Sequence, residues 1–119
     1  MGNCCGQDLI TKVIYLPKYN YKKYGDLKYT YSTDSCFDIR AVLEFQQCLK
    51  IYPRQMPNLI DTGVKFQIPE GFEMVIRPRS GLSKKGLLIH FGTIDQDYRG
   101  EIKVCVSNVG DEIIKIENG

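Results

Sequence analysis

The sequence has few of the residues that build metal centres and nucleophile sites. Its 119 residues include one histidine. The five cysteines, Cys4, Cys5, Cys36, Cys48 and Cys105, are odd in number and show no Cys-x-x-Cys spacing. A structural zinc site is therefore not expected. The thiols read as reduced, which points to an intracellular protein, cytoplasmic or nuclear. No apolar run approaches the ~20 residues of a membrane-spanning helix. A net charge of +2 and the lack of any long Lys/Arg block argue against a nucleic-acid surface. Lys18, Lys22 and Lys23 alternate with Tyr15, Tyr19, Tyr21 and Tyr24. That pattern can stack on single strands, but it reads better as a solvated connector with snorkelling lysines. His90 lies in the apolar run Leu87-Leu88-Ile89-His90-Phe91, has no Ser or Cys partner at a recognised spacing, and is assigned a structural role.

What is present is the composition of an ordinary globular domain, 43% hydrophobic and 25% charged. The length is that of one domain. A flexible tail is expected over residues 1–8. Its start, Met1-Gly2-Asn3-Cys4-Cys5-Gly6, resembles an acylated terminus, except that Gly6 stands where Ser or Thr is usual; a disordered start is the preferred reading.

The domain proper, residues 9–119, has a dominant period of two, so the fold class is all-β. Val64, Phe66 and Ile68 alternate with Lys65 and Gln67. Phe72, Met74 and Ile76 alternate with Glu73 and Arg77. Ile102, Val104 and Val106 alternate with Lys103, Cys105 and Ser107, and Ile114 and Ile116 flank Lys115. Pro69-Glu70-Gly71 has the chemistry of a chain reversal and predicts a hairpin of 59–68 with 72–77. Residues 9–16 read as an edge strand ended by Pro17. Strands are also expected at 28–32, 37–45 and 48–52, and one short helical turn at 81–85. Asn118-Gly119 is a strong hairpin-turn dipeptide, after which a further strand is expected; the domain is expected to be incomplete on that side.

Three segments carry unusual residue choices. In Asp34-Ser35-Cys36-Phe37-Asp38-Ile39-Arg40-Ala41, Asp38 sits between apolar neighbours, either in a polar pocket or as a surface carboxylate. In Arg77-Pro78-Arg79-Ser80-Gly81-Leu82-Ser83, Pro78 ends a strand. Arg79 offers a fork of donors suited to phosphate oxygens. Ser80 and Gly81 open a turn whose N–H groups attract anions. The competing reading is a helix cap with a surface arginine. In Gly92-Thr93-Ile94-Asp95-Gln96-Asp97-Tyr98-Arg99-Gly100-Glu101, a carboxylate follows an apolar pair and precedes a polar turn. Asp95 there can orient and deprotonate a water, and Tyr98 can lie against a ring-shaped ligand. Alone, the segment reads equally as an Asp-rich turn.

In this order and spacing the segments resemble the homotrimeric dUTPase family. Arg77 to Leu82 is similar to the family's second motif almost letter for letter, and 92–101 to its third. Ser35-Cys36-Phe37-Asp38-Ile39 fills the place of the first, usually Ala-Gly-Tyr-Asp-Leu. The resemblance implies a jelly-roll subunit of the dUTPase (β-clip) type and a homotrimer with active sites at the subunit contacts. It implies cleavage of dUTP to dUMP and pyrophosphate with Mg²⁺ as cofactor. It assigns Asp95 to water activation, Tyr98 to packing on the deoxyribose, and Arg79, Ser80 and Gly81 to the phosphates. Asp38 falls near the magnesium-bound triphosphate, acting indirectly. Uracil is read by the backbone of a hairpin within residues 87–94, which includes Thr93 and Ile94. Lys103 matches a position that sometimes contacts substrate.

The sequence also departs from the family. The fourth motif, Gly-Asp-Arg-Ile-Ala-Gln, starts with a glycine that Gly119 matches, and the Gly-rich fifth has no counterpart. The resemblance therefore leaves two further readings: an inactive nucleotide-binding or assembly piece, or a chain whose remaining motifs come from another segment in trans. A dCTP deaminase is disfavoured, because those enzymes carry a Glu-centred version of the third segment.

Overall fold

The computed structural model describes residues 12–90 and 92–119; the expected tail over 1–8 and its acylation signal lie outside them. The described residues form nine short strands and two one-turn helices, so the all-β expectation holds and the helical turns number two rather than one. β1 (Lys12–Tyr15) pairs with β4 (Val64–Gln67), and β2 (Cys48–Ile51) with β9 (Ile114–Glu117). β3 (Asn58–Asp61) and β6 (Leu87–Ile89) flank β8 (Lys103–Asn108), and β5 (Met74–Ile76) pairs with β7 (Gly92–Ile94). Every one of these pairs is antiparallel. The helices are α1 (Tyr21–Tyr24) and α2 (Ser80–Lys84).

The period-two segments form strands because alternate residues find a core. In β4, Val64 and Phe66 are buried while Gln67 is exposed, and Ile68 continues the inward face just beyond the strand. In β9, Ile114 is buried and Lys115 and Glu117 are exposed. Each full burial of such an aliphatic or aromatic side chain contributes about 1.5–3 kcal/mol. Two apolar clusters result. One gathers Tyr19, Val64, Phe66, Ile68, Ile94 and Ile102. The other gathers Ile51, Ile60, Leu87, Val106 and Ile114. Between them runs a cavity of about 480 Å³, walled by residues of both clusters, among them Phe66, Ile94, Ile60 and Val106.

Several local expectations are corrected. Residues 59–68 are not one strand: the chain breaks at Thr62-Gly63, where Gly63 has φ +70°. A Cβ there would lie 3.0 Å from the Tyr19 Cβ, so glycine is needed for both the turn and the close approach. Nor do 59–68 and 72–77 form a hairpin, because β4 pairs with β1 and β5 with β7. Phe72 lies outside β5 and is 48% exposed. Residues 28–32 and 37–45 form no strand, although Val42 N–H donates to the Asp61 carbonyl at 2.8 Å. The tyrosine-rich connector is structured: Asn20 caps α1 by accepting from Lys23 N–H, and Tyr19 is a core residue at 4% exposure.

Candidate functional site

The Arg79 loop and the Asp38 segment meet at the mouth of the cavity. Pro78 ends the β5 arm, and Arg79 stays extended (φ −90°, ψ 139°) as the N-cap of α2 without a side-chain cap bond. Its carbonyl accepts from Ser83 N–H at 3.0 Å. The N–H groups of Ser80 and Gly81, in the first turn, have no intrahelical acceptor. Arg79 Nε lies 3.7 Å from Asp38 Oδ1, with both side chains more than half exposed. A pair this long and this wet is held weakly, so an incoming anion can displace the carboxylate from the guanidinium.

The segment that follows β7 is a tight polar turn. Tyr98 N–H donates to the Asp95 carbonyl at 3.1 Å. The Gln96 side-chain oxygen accepts from Gly71 N–H at 2.6 Å, which ties the turn to the Pro69-Glu70-Gly71 reversal. Arg99 does not pair with Asp97; its Nη1 donates to the Gln96 and Tyr98 carbonyls at 2.6 and 3.2 Å. Tyr98 Oη donates to the Glu101 carbonyl at 3.0 Å. The ring folds back over Gly100, where a Cβ would lie 2.5 Å from Tyr98 Oη. Asp95 is exposed, and so is nearly half of Tyr98.

Beneath this turn is an ion cluster without a local sequence signal. Lys18 Nζ lies 2.6 Å from Asp61 Oδ2 and 2.7 Å from Glu101 Oε1, and Lys103 Nζ lies 3.2 Å from Asp61 Oδ1. Glu101 Oε1 also accepts from Gly63 N–H at 3.0 Å. The Lys18 hydrogen bond holds the Asp61 carboxyl below its ordinary range, against burial and with help from Lys103. Burial opposes the Lys18 charge, but its bonds to Asp61 and Glu101 outweigh burial and raise its pKa. The partners lie 43 and 83 residues away along the chain, which is why Lys18 reads from sequence as a solvated residue.

The register separates the candidate residues into two groups. Ile76 faces Gly92 and Met74 faces Ile94. Arg79 and Asp95 therefore leave opposite ends of the β5–β7 ribbon, about 20 Å apart along the strand axis. Thr93 is exposed on β7. The Ile94 side chain is in the core at 8% exposure, leaving its backbone for any ligand. Lys103 is engaged with Asp61. The hairpin expected within 87–94 is not a ladder: β6 pairs with β8 and β7 with β5. His90 Nε2 and Ser107 Oγ lie 2.7 Å apart, and His90 N–H donates to the Cys105 carbonyl.

The family model described as dUTPase matches residues 22–119, which spans all three motif segments. The chain belongs to the dUTPase family. The deoxyuridine 5'-triphosphate nucleotidohydrolase of Aquifex aeolicus (strain VF5) is 51% identical over 88 residues, covering 71% of this chain and 57% of that protein. Among solved structures, the native EIAV dUTPase matches with a TM-score of 0.72 at 29% identity, over 92% of this chain and 80% of the other. A mutant dUTPase from phage phi11 of S. aureus, whose structure details the coordination of a structural Mg(II) ion, matches with a TM-score of 0.70 at 27% identity, over 84% of this chain and 60% of the other. The jelly-roll-like subunit of the dUTPases is thus the fold of this chain. The chain spans about half the length of the curated relatives it matches, 54% and 57% of two of them.

In this dUTPase-family chain the structure brings the first and second motifs together, as Asp38 beside Arg79. It gathers Asp95 and Tyr98 in the third. It does not bring the third to the other two. Sequence reasoning missed Gln96, Gly100 and Lys18 as supports of the third motif. Only Gly100, a glycine two residues after a tyrosine in a polar turn, carried a local signal.

Proposed function

We propose that this chain forms the subunit of a dUTP diphosphatase, which hydrolyses dUTP to dUMP and pyrophosphate and so removes dUTP while supplying dUMP for thymidylate synthesis. The observation that carries the reading is the third-motif turn. It holds an exposed carboxylate, Asp95, three residues from a tyrosine whose ring folds over Gly100, where any Cβ would meet that ring. Asp95 takes a proton from the attacking water, and Tyr98 packs on the deoxyribose. Arg79 and the Ser80 and Gly81 N–H groups bind phosphate oxygens. The Thr93 and Ile94 backbone contributes to reading the base, and Lys103 adds positive charge nearby. Phosphoryl transfer of this kind depends mainly on positioning and charge neutralisation.

No three His, Cys, Asp or Glu side chains cluster as a metal cage among the described residues. That fits Mg²⁺ arriving on the triphosphate, where it neutralises charge, with Asp38 facing the complex from the cavity mouth. The wide separation of Arg79 from Asp95 within one chain supports a homotrimer whose sites combine loops of neighbouring subunits. The free thiols of Cys36, Cys48 and Cys105 suit an intracellular setting, and no helix among the described residues is long and apolar enough to cross a membrane.

Incubation with Mg²⁺ and dUTP, dTTP, dCTP or UTP tests the reading. Pyrophosphate is expected from dUTP selectively, and Asp95→Asn is expected to lower kcat by about 10²–10⁴-fold. Ammonia released from dCTP would point to a deaminase instead. A second reading draws on the cavity between the two clusters. Its apolar walls favour an assembly piece that turns over dUTP only when another polypeptide segment fills the gap; nucleotide binding without turnover supports that reading.

A further inference from the structure

We infer that Lys18 is a positioning residue for the third-motif turn, acting on Tyr98 through Glu101; the inference rests on the proposed role of Tyr98 against the sugar.

The argument is a chain of contacts. Lys18 follows Pro17 at the end of β1, and its aliphatic stem is largely covered while its ammonium meets two carboxylates. One of them, Glu101, is the last residue of the third motif. Its carboxylate is held from two sides, by Lys18 Nζ at 2.7 Å and by Gly63 N–H at 3.0 Å. Its carbonyl is the acceptor for Tyr98 Oη. The next residue is fixed as well: Ile102 N–H donates to the Val64 carbonyl at 2.9 Å, and the buried Thr62 hydroxyl donates to the Ile102 carbonyl at 2.6 Å. The C-terminal side of the turn is therefore clamped onto 62–64. Among the described residues, the clamp's charged support from outside the strands is Lys18.

Glu101 without Lys18 is a largely buried carboxylate with a single backbone donor. Such a group turns toward water rather than stay uncompensated. Its backbone then moves with it, and the Tyr98 hydroxyl loses a fixed acceptor. Asp61 is different: its other side-chain partner is Lys103, which also faces it across the β3–β8 ladder, and its carbonyl accepts from Val42 N–H. Lys18 thus carries two separable functions, a structural one through Asp61 and a positioning one through Glu101.

The test uses the full chain and compares Lys18→Met, Lys18→Arg and Asp61→Asn. Hydrogen exchange of the Tyr98 and Ile102 amides, measured without nucleotide, is expected to rise at least tenfold in Lys18→Met beyond any change in the β3–β8 ladder, and to recover in Lys18→Arg. Asp61→Asn is expected to lower Tm while leaving both amides protected. With nucleotide, Lys18→Met is expected to raise KM for dUTP about fivefold or more, to leave kcat within about twofold, and to weaken the preference for dUTP over UTP. If Lys18→Met and Asp61→Asn lower Tm alike with the turn amides and the dUTP/UTP preference unchanged, the positioning role is overturned. If wild-type protein cleaves no dUTP, the proposed activity fails on its own, and the exchange measurement still decides whether Lys18 orders the turn.

Discussion

Two residues show how much a single atom group can decide in this chain. Asn108 is 2% exposed. Its amide donates to the Ile51 and Glu112 carbonyls at 2.9 and 2.6 Å, and its oxygen accepts from Gly110 N–H at 3.0 Å. It joins the end of β8 to β2 and to the turn before β9. Asn108→Ala leaves those backbone groups without partners, at a cost of about 2–4 kcal/mol by the usual penalty for buried unsatisfied groups; the denaturation midpoint is expected to fall accordingly at unchanged m. Gly100 works in the opposite way, through what it lacks. An added methyl would overlap the Tyr98 hydroxyl and ring, which can swing aside. Gly100→Ala is therefore expected to change Tm little, yet to raise KM for dUTP several-fold and reduce discrimination against UTP. Equal loss for both nucleotides would separate Gly100 from sugar recognition.

At the scale of elements, the Lys18–Asp61–Lys103 cluster ties the end of β3 and the start of β8 to the segment that leads into α1. Its pH dependence follows from the direction of each shift. Asp61 is held below its ordinary value of 3.8, so its contribution is complete above that pH and is lost as pH falls through the lower folded value. Lys18 is raised above 10.5, so its contribution is complete below that pH and is lost as pH rises through the higher folded value. Thermal stability is expected to be level between about pH 5 and 10 on this account, and Asp61→Asn is expected to flatten the acid limb selectively. A Tm–pH series of the two proteins checks it. Elements also show where the sequence was legible. The strands β4, β8 and β9 could be read because each buries residues on one face, a local property. Which strand lies beside which could not. Pro69-Glu70-Gly71 does reverse the chain, but β4 goes to β1 and β5 to β7, partners 49–55 and 16–20 residues away in sequence rather than the hairpin neighbour. The site divides in the same way. Asp38, Arg79, Asp95 and Tyr98 stand out in the sequence because the chemistry proposed for them demands particular side chains at fixed spacing. Lys18 and Asp61 are ordinary charges whose meaning comes only from tertiary contact.

For the whole molecule, the decisive fact is that one β5–β7 ribbon sends the Arg79 loop and the Asp95 turn, proposed to bind phosphate and to activate water, in opposite directions. A separation of about 20 Å of strand favours a site whose two loops come from different subunits. On the proposed function, each site takes Asp95 from one subunit and Arg79 from another, as closed symmetric assembly allows. Mixing two inactive variants turns this into a count. Asp95→Asn keeps a working phosphate loop, and Arg79→Ala keeps a working carboxylate. After equimolar unfolding and co-refolding, a site is intact when its carboxylate subunit is the Arg79→Ala chain and its phosphate subunit is the Asp95→Asn chain. Random assembly gives that arrangement in about one quarter of the sites, so the mixture is expected to recover roughly that fraction of wild-type turnover while either variant alone stays near background. A site contained in one subunit gives a different number, because every chain then carries one lesion and no mixing ratio restores activity. The recovered fraction thus reports how the subunits share the site, and its dependence on mixing ratio, highest at equal amounts and falling to nothing at either end, identifies the exchange as one between two distinct chains.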